Sequence, residues 1–88
     1  MVKHFQVTIR NHVASSGNRF RIYLTAKQLG IKGFVSENPE KITIEAEGEQ
    51  DNLDMFIRSC NQIPCDKTSL EININEKHRM FYDEFFIM

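Results

Sequence analysis

Leu29-Gly30-Ile31-Lys32-Gly33-Phe34-Val35 is where the chain changes period. Upstream, from Arg19 to Leu29, the pattern is helical. Arg21, Thr25 and Gln28 fall on one polar arc, and Phe20, Ile22, Tyr23, Leu24, Ala26 and Leu29 cover the rest. Gly30 is suited to stop that helix, because glycine accepts the left-handed backbone of a C-terminal cap. Downstream, Gly33-Phe34-Val35-Ser36 reads as a short strand. A helix thus hands over directly to a strand, which points to a mixed α and β fold.

Moving toward the N-terminus, Phe5, Val7 and Ile9 alternate with Gln6, Thr8 and Arg10, as in a half-buried strand. Moving toward the C-terminus, Glu37-Asn38-Pro39-Glu40-Lys41 reads as a turn. Ile42, Ile44 and Ala46 then alternate in a third strand that forms a hairpin with the second, and Gly48 is expected to end it. A second helix follows. Glu49, Asp51 and Asp54 lie near its positive end, and Leu53, Phe56, Ile57 and Cys60 have the spacing of one buried face. Pro64 bars its continuation. Leu70, Ile72 and Ile74 alternate again, and Phe85-Phe86-Ile87-Met88 closes the chain as a short strand. The order β-α-β-β-α-β, with one extra short strand, predicts an α+β, ferredoxin-like sandwich: an antiparallel sheet with two helices on one face.

With 88 residues and 41% hydrophobic content, one core between two layers is the expectation, so residues 1–88 are read as a single domain. Net charge is −1 and the isoelectric point near 6.3. Acids and bases are mixed along the chain. That argues against nucleic acid and anionic membranes as partners, since both call for clustered cations. The N-terminal residues contain no apolar signal-peptide core. No apolar run approaches the roughly 18 residues of a membrane span. Cys60 and Cys65 are the only cysteines, fewer than a secreted disulfide framework would carry. A reduced, cytoplasmic monomer is expected. His4, His12 and His78 read as surface residues, without zinc-motif spacing. Met80, Phe81, Phe85, Phe86 and Met88 read as core, and Lys77-His78-Arg79 as a solvated turn.

Between the first strand and the first helix runs Asn11-His12-Val13-Ala14-Ser15-Ser16-Gly17-Asn18-Arg19-Phe20-Arg21. It is small, polar and flexible, and it ends in two arginines. Unpaired amides and the helix dipole at such a junction can hold an anion. Read more plainly, it is a Ser-Gly turn with Ser16 or Asn18 as the helix N-cap.

This architecture, with the loop after strand one and Leu-Gly-x-x-Gly-aromatic-Val after helix one, resembles the acylphosphatase family. Ile42-Thr43-Ile44-Glu45-Ala46-Glu47-Gly48 is similar to that family's third strand, and Phe85-Phe86-Ile87 to its Phe-x-Ile ending. Enzymes of the family hydrolyse carboxyl-phosphate bonds. A loop of pattern Gly-x-Val-Gln-Gly-Val-x-Phe-Arg cradles the phosphate, its Arg binds the phosphate, and an Asn after strand two positions the attacking water. The resemblance puts Arg19 at the phosphate-binding arginine, counting from either flank. Asn11 then falls on the first Gly, Ala14, Ser15 and Ser16 on Gln-Gly-Val, and Asn18 on the Phe. Ser15, Ser16, Gly17 and Asn18 become the candidate cradle.

A second register uses Gly17-Asn18-Arg19-Phe20-Arg21 and makes Arg21 the ligand. It would remove two residues from the helix and turn every later position by roughly 200°. The family's Asn falls on Glu37 by direct count. Asn38, one residue later, is the candidate water-positioner if a bulge restores its direction. It is otherwise a turn residue before Pro39.

The resemblance implies a metal-independent hydrolase without a cofactor, acting on a small acyl phosphate or another phosphate-like anion. The alternative is a non-catalytic domain of the same fold that binds an anion or a protein partner. An RNA-binding sheet of this architecture needs aromatics on its face, where this chain has Thr43 and Glu45.

Overall fold

The computed structural model describes residues 2–10, 17–62, 71–77 and 82–88. Its elements are β1 (Val2–Arg10), α1 (Asn18–Gln28), β2 (Lys32–Glu37), β3 (Lys41–Glu49), α2 (Gln50–Cys60), β4 (Glu71–Lys77) and β5 (Phe85–Ile87). The strands form one sheet in the order β4-β1-β3-β2-β5. Both helices pack on one face, giving the ferredoxin-like α+β sandwich expected. The sheet is mixed rather than wholly antiparallel. β1–β3, β1–β4 and β2–β3 are antiparallel, and β5 joins β2 in parallel.

The helix-to-strand handover at Leu29 to Val35 explains much of this geometry. Gly30 has φ 68°, Ile31 N donates to Ala26 O at 2.9 Å, and Gly30 N donates to Lys27 O at 3.4 Å. This pair of bonds is the Schellman cap. It buries Ile31 beside Ala26 and aims the chain straight into β2. Gly33, at φ 133°, lets β2 lie close against β3, since a Cβ there would sit 1.8 Å from the Glu45 carbonyl oxygen. Any side chain would push the two strands apart.

The core gathers Val7 and Ile9 of β1, Val35 of β2, and Ile42, Ile44 and Ala46 of β3. Ile22 and Ala26 of α1, and Leu53, Phe56 and Cys60 of α2, cover them. Burying each large aliphatic or aromatic side chain contributes about 1.5–3 kcal/mol.

Several expectations are corrected. β3 runs through Gly48, because β1 begins early enough for Lys3 to pair with it. Among the described residues expected in the core near the C-terminus, only Phe85 is buried. Phe86 is 47% and Met88 65% exposed. Alternate side chains of a three-residue edge strand point to opposite faces, so few can reach the core. Phe20 and Leu24 of α1 also face outward. Met80, Phe81, His12, His78 and Cys65 lie outside the described residues.

His4 is fully buried, not superficial. It lies on the sheet face away from the helices. Its Nε2 donates to Glu45 Oε1 at 2.5 Å, and Glu47 Oε2 is 3.6 Å from Nδ1. Tyr82 stacks on it with centroids 5.9 Å apart and meets Phe34 edge-on. Burial, then the charges of Glu45 and Glu47, push the Tyr82 phenol up from its ordinary value. A roof drawn from a distant part of the chain thus closes over a position that alternation alone assigns to the wet face.

Candidate functional site

The end of β1, the β2–β3 turn and the start of α1 share one pole of the sandwich. Arg10 pairs with Lys41, and Glu37 pairs with Ile42. Residue 88 ties the helix to this edge. Met88 N donates to Val35 O at 2.8 Å, and Arg19 Nη1 donates to Met88 O at 2.5 Å. Arg19 is exposed, yet its guanidinium is held beside the last turn of β2. The Arg–backbone contact spans 69 residues. Local periodicity carries no signal for a contact of that span.

No side chain caps the start of α1. Gly17, at φ 79° and ψ 17°, is the N-cap. Asn18 is the first helical residue and fully buried, so it is not the cap read from the sequence. Gly17 O accepts from Arg21 N at 3.0 Å. The amides ahead of Arg21 have no helical carbonyl to bond. No acidic residue stands in the first turn, so the positive end of the dipole is not offset by a side chain there. Ser15 and Ser16 lie outside the described residues.

Arg21 goes elsewhere. Two positions along a helix is a rotation of about 200°. Arg21 borders the groove between α1 and α2, together with Thr25 and Ser59. The two candidate arginines therefore serve different surfaces.

Asn38 lies in the β2–β3 turn. Its Oδ1 accepts from Glu40 N and Lys41 N, both at 2.9 Å, and its own N donates to Lys41 O. Two backbone donors on one atom identify that atom as the oxygen, which leaves the Nδ2 protons as the side chain's donors. Glu37 ends β2 and is half-buried. It falls on the same side of the strand as Val35. Among the described residues, no group of three or more His, Cys, Asp or Glu side chains is placed to hold a metal. Cys60 is buried, and burial pushes its thiol up to about 12. No helix among them is long and apolar enough to cross a membrane.

A two-layer sandwich in strand order 4-1-3-2-5, with both helices on one sheet face, defines the ferredoxin-like α+β class. The acylphosphatase family model matches residues 5–87. The chain belongs to the acylphosphatase family. Solved structures agree. The acylphosphatase from Bacillus subtilis superposes with TM-score 0.82 at 18% identity, covering 100% of this chain and 99% of that one. An acylphosphatase from Coxiella burnetii gives 0.88 at 19%, covering 99% and 93%. Full-length HypF in its phosphate- and nucleotide-bound form gives 0.88 at 28% identity over 100% of this chain, which spans only 12% of HypF. A comparison with curated protein sequences gives no significant match.

Proposed function

We propose that this domain hydrolyses the carboxyl–phosphate bond of a small acyl phosphate, with Arg19 as the phosphate ligand. The observation that carries this reading is Arg19 itself. It stands at an uncapped, acid-free helix start and is fastened by Met88 to the edge where Asn38 turns. The other N–H groups of the guanidinium fork, with the first-turn amides, are the donors that phosphoryl oxygens require. Phosphoryl transfer asks mainly for positioning and charge stabilisation. Asn38, its oxygen fixed by the turn, offers Nδ2 to the oxygen of the attacking water. Water adds to phosphorus, the carboxylate leaves with the bonding pair, and inorganic phosphate is released. Membership of the acylphosphatase family supports the substrate class.

The test is hydrolysis of benzoyl phosphate without added metal by wild type, Arg19→Ala and Arg21→Ala. Arg19→Ala is expected to lower kcat/KM by about 10²- to 10³-fold, the usual loss for one donor to a developing charge. Arg21→Ala should stay near wild type. Loss confined to Arg21→Ala would move the site to the second register. A wild type without turnover, but with phosphate shifting the Arg19 amide, would instead establish the non-catalytic anion-binding domain.

A further inference from the structure

His4 is a buried, titratable side chain near the start of β1, away from the pole that carries Arg19, and the phosphate reading does not use it. Both of its ring nitrogens face carboxylates. Nε2 is 2.5 Å from Glu45 Oε1, and Nδ1 is 3.6 Å from Glu47 Oε2. The second distance is within ion-pair reach but too long for a hydrogen bond, and Nδ1 has no hydrogen-bond partner among the described residues. A neutral imidazole carries one N–H. On Nε2, that proton leaves the Nδ1 lone pair facing a buried carboxylate. On Nδ1, it leaves two acceptors 2.5 Å apart at the other nitrogen. Only the imidazolium presents a proton to each carboxylate. Tyr82 lies over the ring with centroids 5.9 Å apart, and an aromatic face at that range also favours a cation.

The other charges around the ring are solvated. Lys77 stands opposite His4 on β4 and Lys32 opposite Glu47 on β2, and both are exposed. Glu49, Asp83 and Glu84 are exposed too, and Glu84 lies 4.0 Å from Lys27. Solvated charges are screened far more than buried ones, so Glu45 and Glu47 dominate. Tyr82 begins a short strap, residues 82–84, that leads into β5. The strap is held by Tyr82 on His4, by Tyr82 edge-on to Phe34, and by Gly33 N donating to Glu84 O at 3.0 Å. Phe85 then pins the chain, since it is buried against Tyr23 and Phe56. Loosening that starts at Tyr82 therefore stops at Phe85, short of Met88. We propose that residues 82–84 form a pH-sensitive cover over the sheet, closed while His4 is an imidazolium and loosened when His4 gives up its proton. Closure is complete at low pH and is lost as pH rises through the His4 titration.

The full chain is followed by nuclear magnetic resonance from about pH 5 to about pH 10, a span that brackets histidine titration. The His4 ring nitrogens report its proton, and the Tyr82 ring reports the contact above it. Hydrogen-exchange protection, taken relative to the unstructured rate at each pH, reports the Gly33 and Met88 amides. As His4 loses its proton, the Tyr82 ring resonances should move toward exposed values. Gly33 protection should fall about tenfold or more, the loss expected for a hydrogen bond to a charged group, while Met88 protection holds. Tyr82→Phe should keep the step, because it keeps the ring and removes only the phenol. His4→Gln should leave Gly33 at the loosened level at every pH. If thermal melts show that His4→Gln does not fold, Glu47→Gln replaces it, and the step should shrink because the new amide can donate to Nδ1. A His4 that holds its proton through the whole range, a Tyr82 ring or Gly33 amide that ignores its titration, or a step that survives in His4→Gln would each overturn the proposal. So would equal falls at Gly33 and Met88, which would mark fraying of β5 rather than release of the strap.

Discussion

The two helices are the same length and pack on the same sheet face, yet they are made differently. α2 concentrates Leu53, Phe56 and Cys60 on one buried stripe and sets Asp51 in its first turn. α1 buries Asn18, Ile22 and Ala26, turns Phe20 and Leu24 outward, and begins with no acid and no side-chain cap. Its cations are Arg19, Arg21 and Lys27, against no carboxylate. α2 is optimised for holding the sandwich together. α1 gives up part of that stability, and its positive end carries neither an acid nor a side-chain cap.

The contrast breaks first in the core. Phe56→Ala removes a ring that is fully buried and meets Phe85 edge-on at 6.1 Å. It should cost about 3–5 kcal/mol, as other core aromatic truncations do. The same atoms deleted from α1, in Phe20→Ala, should change stability by no more than about 0.5 kcal/mol, since Phe20 is 57% exposed. Urea unfolding of both variants makes the comparison. Near-equal losses would mean that α1 hides more surface than its exposure shows.

Cys60 sharpens the contrast through pH. Its thiol rises from 9.0 to about 12 in the folded chain, by burial alone. The unfolded chain ionises it from about pH 9, so the stability it contributes is whole below pH 9 and falls as pH climbs toward 12. At about 1.4 kcal/mol per unit, roughly 2 kcal/mol is lost by about pH 10.5. Cys60→Ala removes that dependence. The stability gap between wild type and Cys60→Ala should therefore narrow by about 2 kcal/mol between pH 8 and 10.5. A gap that stays constant would show that the thiol ionises in the fold, and that the α2 stripe is looser than it looks.

What the sequence showed of this molecule was local. Gly30 announced the cap and Gly33 the strand, and alternation placed Val7, Ile9, Ile42 and Ile44 in the core. Two flanking patterns set the register that puts Arg19 at the helix start. What it hid depends on segments far apart in the chain. His4 is roofed by Tyr82, and Arg19 is anchored by Met88; neither partner lies within a window that periodicity can see. Gly48 continues β3 because of the reach of β1, not because of its own neighbours. Asn38 was legible in type, since Asn-Pro marks a turn. Which of its amide atoms the turn consumes was not.

The smallest effect asks whether the open start of α1 belongs to a ligand. A carboxylate in the first turn should favour the helix by about 0.3–1 kcal/mol through the dipole, as Asp51 does in α2. Phe20→Asp puts one at the third helical position, and Phe20→Ala serves as its reference because both lose the ring stacked 6.2 Å from Tyr23. Phe20→Asp should be the more stable of the two by that amount in phosphate-free buffer, measured by thermal melts. In saturating phosphate the order should reverse. Bound ligand stabilises in proportion to its affinity, and a fixed negative charge at the same amides competes with the anion. If phosphate leaves the order unchanged, the helix start is merely uncapped, and the difference between the two helices is one of stability rather than of function.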